Sequence, residues 1–377
     1  MKKKIAIIVR VFSDTSGGAE RFCYETTKNL SNNYDITVFC EKTTNIIDNV
    51  NFKILPKLIS RPDVLSRFIF ALMAYFKTRN QFDCTISHSW CFSSDIHVFH
   101  VKSVKSRKNP REFLLRFFLS FFRLFGFKRN LYKLLEKSQV KYTKYLLFVS
   151  RQLGKQFQDN YQKEIINFLT IYPGIYPLEK PINVDKKDRL SISRSMEFEI
   201  QKNDFVILFI GHNFKRKGLN YLLKAVDNIN NKSIKVLVIG KDKPVKFNFK
   251  NPSICKNVRY LGKVKNINEF YSIADCMVHP TLDDTFGMVV LEALSHSLPV
   301  IVSSEKYCGI SEKLSKENAL ILANPKSSYE IEGNILYLKN NPKDSIRIGE
   351  NGFKLSKEFS WNEVSSKFIK IIDELRA

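Results

Sequence analysis

The stretch CMVHPTLDDTFGMVVLEALSHSLPVIVS, residues 276–303, decides the fold. Cys276–Pro280 is a short apolar run of the kind that forms a buried strand. Asp283 and Asp284 then break it, Phe286–Ser295 carries helical spacing, and Pro299–Ser303 is a second buried run. Strand, loop, helix and strand in that order make one βαβ unit, whose two strands must lie parallel. The alternation continues upstream through Phe205–Gly211, a helix over Leu219–Asn228, Ile234–Gly240, Val258–Gly262 and a helix over Ile267–Ala274. An earlier series runs through Lys4–Arg10, a helix from Ala19 to Leu30, Tyr34–Cys40, Cys84–His88, Asp95–Val101 and Tyr145–Ser150. The two series are separated by YPGIYPLEKPINVDKKD (172–188), where Pro173, Pro177 and Pro181 remove backbone donors and a charge run follows. The expectation is an α/β protein of two doubly wound, Rossmann-like domains facing a central cleft. These are 1–178 and 179–359, followed by a C-terminal helix over 360–377. Such sheets bind ligands beyond the carboxyl ends of their strands.

Composition excludes several classes. The chain has 377 residues, 44% of them hydrophobic, and a formal charge of +24, so it folds and favours an anionic partner. The apolar run after the basic start spans only Ile5–Val9, too short for a signal peptide, and no run is long enough to span a membrane. The expected location is therefore cytoplasmic. Seven scattered cysteines without a C-x-x-C pair read as reduced core thiols, not as a disulfide frame or zinc site. Neither G-x-G-x-x-G nor G-x-x-x-x-G-K-[ST] occurs, which argues against a dinucleotide oxidoreductase or a P-loop nucleotidase.

Three loops carry chemistry. Ser16-Gly17-Gly18-Ala19-Glu20-Arg21 opens a helix directly after the first strand, where paired glycines and free helix amides suit a phosphate. In Gly211–Gly218 two adjacent cations, Arg216 and Lys217, suit a diphosphate, the guanidinium forking two oxygens and the ammonium acting as a point charge. In the opening stretch Asp284 lies in the loop and Glu292 on the helix eight residues on. Gly287 and Met288 offer amides at the helix start, and a carboxylate there can accept hydrogen bonds from vicinal hydroxyls.

The order G-G-x-E-R, then Pro173-Gly174-Ile175, then G-x-x-x-x-R-K-G, then an acid eight residues before Glu292 resembles the GT-B glycosyltransferases of family 4. The likeness runs to Phe359-Ser360-Trp361, ahead of the last helix, which in that fold crosses back to the first domain. Within the family, Ile171–Tyr176, Val238–Pro244 and Asp275–Pro280 are similar to the lipopolysaccharide core α-1,3-glucosyltransferases, which move glucose from UDP-glucose to inner-core heptose. The resemblance implies that Gly17 and Gly18 approach the donor diphosphate and that Arg216 and Lys217 neutralise it as it leaves. It implies that Glu292 holds the ribose, and that Asp284 with the Phe286, Gly287 and Met288 backbone holds the donor sugar, which His100 also contacts. The family pattern begins with Glu where this chain has Asp284, which puts sugar contact and donor choice in question. The implied activity is retaining hexosyl transfer, from UDP-glucose, to a lipid-linked glycan such as the lipopolysaccharide inner core. The nucleotide sugar is a co-substrate and no cofactor is implied. Asp95 is the sole candidate for a first-domain nucleophile. No D-x-D occurs, so no metal is expected and the Arg216–Lys217 pair stands in for one. Alternatives are another donor (a UDP-N-acetylhexosamine, UDP-galactose or GDP-mannose) with another cell-surface acceptor, or a non-catalytic membrane-bound scaffold.

The positive charge is concentrated. Residues 102–144 hold 13 Lys or Arg against Glu112 and Glu136. Inside lies FLLRFFLSFFRLFGF (113–127), with Leu114, Phe117, Phe118, Phe121 and Phe125 on one helical face and Arg116 and Arg123 together elsewhere. Leu115, Leu119 and Phe122 lie off the stripe, as in a buried helix, but the basic flanks, Arg111 among them, point to an anionic membrane surface. The expected partners are a nucleotide sugar, a lipid-linked acceptor and the inner face of the cytoplasmic membrane. Nucleic acid is not expected, because no recognised binding module is present.

Overall fold

The computed structural model describes residues 2–106, 123–161, 168–176, 178–179 and 198–375, with the backbone alone over 123–128. The chain divides into two compact units, 1–174 with 361–377, and 175–360. The division falls slightly before the expected boundary for a local reason. Ile175 already bridges to Ser360, its amide donating to the Phe359 carbonyl at 2.8 Å.

The first unit holds β1 (Lys4–Ile8), β2 (Val11–Phe12), β3 (Asp35–Cys40), β4 (Lys42–Thr43), β5 (Val50–Ile54), β6 (Cys84–Ser87), β7 (Ile96–Phe99), β8 (Tyr145–Phe148) and β9 (Phe168–Thr170). Seven of these form a parallel sheet in the order β5-β3-β1-β6-β7-β8-β9, while β2 and β4 pair separately. The central strands are almost wholly buried, as a sheet covered on both faces requires. Sequence reading passes over β5 and β9 because they are edge strands of mixed exposure, without a continuous apolar run.

The C-terminal helix Trp361–Glu374 packs on the helix Gly18–Leu30 within this unit. The Phe22 ring stands edge-on to Trp361 at 5.6 Å and to Phe368 at 6.3 Å, and all three side chains are buried. Part of the basic segment belongs to the same core. The helix Arg123–Tyr142 buries Leu135, Gln139 and Val140, together with Glu136. The Glu136 carboxylate accepts from Ser103 Oγ at 2.6 Å, the Val104 amide at 2.7 Å and Tyr161 Oη at 2.7 Å, so its burial leaves no unpaired charge. Lys137 and Lys141 lie exposed on this helix. The expected membrane contacts Arg111, Arg116, Phe117, Phe118 and Phe121, and the side chains of Arg123 and Phe125, lie outside the described residues.

The second unit holds β10 (Phe205–Ile210), β11 (Ile234–Ile239), β12 (Val258–Gly262), β13 (Cys276–His279), β14 (Val300–Ser303) and β15 (Leu320–Leu322), parallel in the order β12-β11-β10-β13-β14-β15. Phe209, Val236 and Val278 meet Leu222 and Leu223 of the helix Leu219–Ile229 and Ile335 of the helix Ser328–Asn340 in one core. The helix of the opening stretch starts at Met288, not Phe286. Gly287, with φ 101°, caps it in the left-handed region, and Phe286 is a buried loop residue. All seven cysteines are free, and six are buried. The exception to the expectation of core thiols is Cys255, which is exposed at the end of a short helix on the surface.

Candidate active site

In the second sheet the chain leaves β10 towards β11 on one side and β13 towards β14 on the other. The loops that follow β10 and β13 therefore diverge at a topological switch point, the usual place for a ligand in an open α/β sheet. Here they also touch. Gly218 has φ 82°, and a Cβ on it would stand 2.0 Å from the Pro280 carbonyl oxygen, so only glycine lets the first loop lie against the second. The Leu282 amide donates to the Arg216 carbonyl at 2.8 Å and fastens the loops together.

That fastening brings Lys217 to Asp284. The ammonium pairs with Asp284 Oδ2, and His279 Nε2 reaches the same oxygen at 3.1 Å. Lys217 is 9% exposed and His279 is fully enclosed. Burial by itself would raise the Asp284 carboxyl, but the Lys217 charge and the His279 hydrogen bond outweigh it and hold the group well below the usual carboxylate range. Burial pushes His279 down, with Asp284 partly opposing, so the ring is neutral near pH 7 and donates through Nε2. Arg216, one residue away, lies exposed, and its charge acts with that of Lys217 in lowering His279.

Glu292 sits on the next helix and accepts from Tyr271 Oη at 2.8 Å; the Tyr271 ring stacks on His296 at 4.9 Å. The Phe286 carbonyl is taken by the Ile310 amide at 2.7 Å, whereas the Gly287 and Met288 amides have no protein acceptor among the described residues. His279, Asp284 and Cys308 offer ligand atoms within 4.8 Å of one another. The group is poorly suited to a metal: Lys217 already occupies the carboxylate, and burial raises the Cys308 thiol, which donates to the Phe286 carbonyl.

The first unit places its expected residues around its own switch point, between β1 and β6. Gly17 precedes the helix Gly18–Leu30 without a side-chain cap, which leaves amides of the first turn open. His100 follows β7 directly, and its Nε2 lies 3.1 Å from His88 Nδ1 with the rings stacked at 5.4 Å. Burial pushes His100 down to about 3. Asp95, by contrast, precedes β7. Its Oδ2 accepts from the Thr85 amide and hydroxyl at 2.9 and 2.8 Å, and Lys144 lies 3.3 Å away. It belongs to the amino ends of the strands, opposite the loops that carry Gly17 and His100, which removes it as a nucleophile.

Sequence reasoning assigned no role to three residues that complete these groups: His279, Tyr271 and His88. His279 lies inside the quoted motif, and its place at the last position of β13 is the signal that could have found it. Tyr271 and His88 are joined to their partners only through tertiary structure.

The family of glycosyl transferases group 1 matches residues 194–355. The lipopolysaccharide glucosyltransferase WaaG of Escherichia coli is 29% identical over 205 residues, 51% of this chain and 52% of that protein. A Campylobacter jejuni N,N'-diacetylbacillosaminyl-diphospho-undecaprenol α-1,3-N-acetylgalactosaminyltransferase is 23% identical over 74% of each chain. For the first relatives the chain spans about half the length of the proteins it matches. Among solved structures, that of WaaG, a glycosyltransferase involved in lipopolysaccharide biosynthesis, superposes with a TM-score of 0.78 at 18% identity over 98% of this chain and 99% of that one. A Thermosynechococcus elongatus sucrose-phosphate synthase superposes with a TM-score of 0.73 at 17% identity over 99% of both chains.

Proposed function

From a chain that is a group 1 glycosyltransferase with the GT-B fold of two Rossmann-like domains, we propose a retaining hexosyltransferase that moves glucose from UDP-glucose to a lipid-linked glycan such as the lipopolysaccharide inner core. The observation that carries the reading is the buried Lys217–Asp284–His279 group at the second sheet's switch point. It sets a fixed cation beside a carboxylate with the open amides of Gly287 and Met288 nearby in sequence. That set suits a sugar diphosphate: cation and amides for the phosphates, Asp284 for sugar hydroxyls, Glu292 for the ribose.

In the proposed reaction the bond from the anomeric carbon to the diphosphate oxygen breaks. The acceptor oxygen bonds to that carbon on the same face, and its proton passes to the departing phosphate. Lys217 and Arg216 stabilise the developing phosphate charge, and no protein nucleophile takes part. Since these cations do the work of a metal, transfer should persist in EDTA; a loss that Mg²⁺ or Mn²⁺ restores would overturn this part. The glucose and lipopolysaccharide assignments rest on the motifs shared with WaaG, and the lipid-linked acceptor also on the Campylobacter relative.

We also place the enzyme as a peripheral protein on the inner face of the membrane through the basic, Phe-rich segment. Among the described residues no helix is long and apolar enough to cross a bilayer. Flotation with anionic but not neutral vesicles supports this placement. The deciding experiment for the donor is calorimetric titration of UDP-glucose, a UDP-N-acetylhexosamine, UDP-galactose and GDP-mannose. Preference for UDP-glucose supports the assignment, and preference for GDP-mannose overturns it while leaving the fold intact.

A further inference from the structure

Glu292 is held from two sides by side chains that no motif names. The short helix Asn268–Ile273, ahead of β13, buries Phe270 and Ile273, and with them Tyr271, which is 1% exposed. The Tyr271 hydroxyl donates to Glu292 Oε2 at 2.8 Å and lies 3.4 Å from the Val289 carbonyl. A hydroxyl has one proton, and the carboxylate, the stronger acceptor at the shorter distance, takes it.

The second support comes from the end of the helix Met288–Ser295. The Tyr271 ring stacks on His296 with centroids 4.9 Å apart and planes 28° from parallel. His296 Nδ1 lies 2.8 Å from the Glu292 carbonyl, which can only accept, so the proton sits on Nδ1. Nε2 is enclosed without a partner among the described residues, and burial pushes the imidazole down, so this nitrogen keeps a bare lone pair near pH 7. The Glu292 carbonyl is one of the last four of its helix, which lack partners inside it and are open to side-chain donors; Ser295 Oγ also donates to it, at 2.7 Å. The contacts form a closed circuit on Glu292. Its carbonyl holds His296, His296 carries the Tyr271 ring, and the Tyr271 hydroxyl holds its carboxylate.

The consequence is geometric. Glutamate is among the side chains that lose most rotamer freedom when fixed. A ribose presents two neighbouring hydroxyls, and a carboxylate receives both only when its plane is set. If the side chain were loose, that ordering would weaken binding; held by Tyr271, the carboxylate is ordered before a ligand arrives. Tyr271 itself is too deeply buried to touch a ligand and acts through Glu292.

We propose that Tyr271 is a positioning residue which, by fixing the Glu292 carboxylate, makes the nucleotide site select ribose over 2′-deoxyribose, with His296 as the plate that keeps the phenol in place. This rests on the glycosyltransferase reading above, in which Glu292 receives the ribose. It adds the residue that sets how strictly the sugar of the nucleotide is read.

The test is calorimetric titration of the full chain with UDP and GDP, each beside its 2′-deoxy form. Wild type should favour the ribonucleotide it binds by about a hundredfold or more, since a site built around a hydroxyl rejects the analogue without it. Tyr271→Phe keeps the stack on His296 and loses the hydroxyl. It should cut that preference about tenfold, chiefly by weakening the ribonucleotide. In nucleotide-sugar hydrolysis the same variant should raise KM and leave kcat near wild type, because the diphosphate separates the ribose from the bond that breaks. In a Glu292→Ala background, Tyr271→Phe should change nothing further. A tyrosine that only packs would weaken both nucleotide forms alike, with or without Glu292. A wild type indifferent to the 2′ hydroxyl, an equal loss for both forms in Tyr271→Phe, or a further loss of preference in the Glu292→Ala background would each overturn the proposal. If neither ribonucleotide binds, the transferase reading fails and the proposal falls with it. A bound ribonucleotide whose preference Tyr271→Phe leaves intact removes the proposal alone.

Discussion

At the second sheet's switch point two loops lie against each other and lock a cation onto a carboxylate; at the first sheet's, the loops after β1 and β6 meet through the Arg10 amide on Ser89 Oγ at 2.9 Å and border a cavity of about 270 Å³. The topology is the same, a reversal of strand order beside the first strand of each unit, yet one point is built of fixed charge and the other of space. The difference is local. Gly218 lets backbone meet backbone in the second unit, whereas in the first Arg10 is drawn sideways to Glu41 and Asp63 and a tryptophan stands at the rim. Charge fixed before binding suits a ligand whose own charge grows during reaction. An open wall of neutral polar groups suits a ligand that must only be oriented.

The largest expected effect comes from removing what holds the first unit together. Trp361→Ala should destabilise that unit by about 3–5 kcal/mol, because the ring is buried against Phe22 on the helix that carries Gly17 and Gly18. Hydrogen exchange read unit by unit should show the loss in residues 1–174 and spare the second sheet. Equal loss in both units would mean that the two sheets unfold as one.

Next comes the ion pair. Lys217→Ala should lower transfer by about 10²–10³-fold, as loss of a fixed charge-stabilising group does elsewhere. It also strands Asp284, a penalty of about 3–5 kcal/mol for a buried pair broken on one side. The double variant Lys217→Ala with Asp284→Asn separates the two: melting temperature should recover and transfer should not. Recovery of both would show that Lys217 matters for folding alone and would dissolve the contrast between the units.

The second unit was the more legible in sequence, for physical reasons. Most of its strands are apolar runs, and its candidate side chains fall within two short loops and the helix that follows the second, so Lys217, Asp284 and Glu292 could be named from residue order. The partners His279 and Tyr271 needed the fold. In the first unit the paired glycines were legible, but the cavity was not: Arg10, Arg67 and Trp90 come from three separate elements, and none belongs to a motif. The helix Asp63–Thr78, which brings Arg67, was overlooked because its polar residues are few and its start is marked only by Pro62. The basic segment shows a second limit of pattern. Its later half, with Glu136 and Gln139, is core, since a charge count cannot see that one carboxylate inside it is fully satisfied.

The smallest effect distinguishes the units by pH. His97 is 4% exposed, and burial pushes it down to about 3, against about 6.5 in an unfolded chain. Between those values the unfolded state binds the extra proton, so stability falls as pH falls, by about 1.4 kcal/mol per pH unit, and is flat above 6.5. In the second unit His279 is lowered too, but its hydrogen bond to Asp284 opposes the shift. Asp284, itself depressed, begins to lose its contribution only as pH falls through the unfolded carboxyl value of about 4, and so adds little slope between pH 6.5 and 5. Acidification from pH 6.5 to 5 should therefore cost the first unit about 2 kcal/mol through His97 alone and the second unit less. His97→Gln should make the first unit's dependence shallower in urea unfolding followed by exchange, leaving the part that belongs to His88 and His100, which burial also pushes down. An unchanged slope in that variant would move the effect to His88 and His100, and with it the place where the first unit is most sensitive to a proton, from the sheet core to the wall of the cavity.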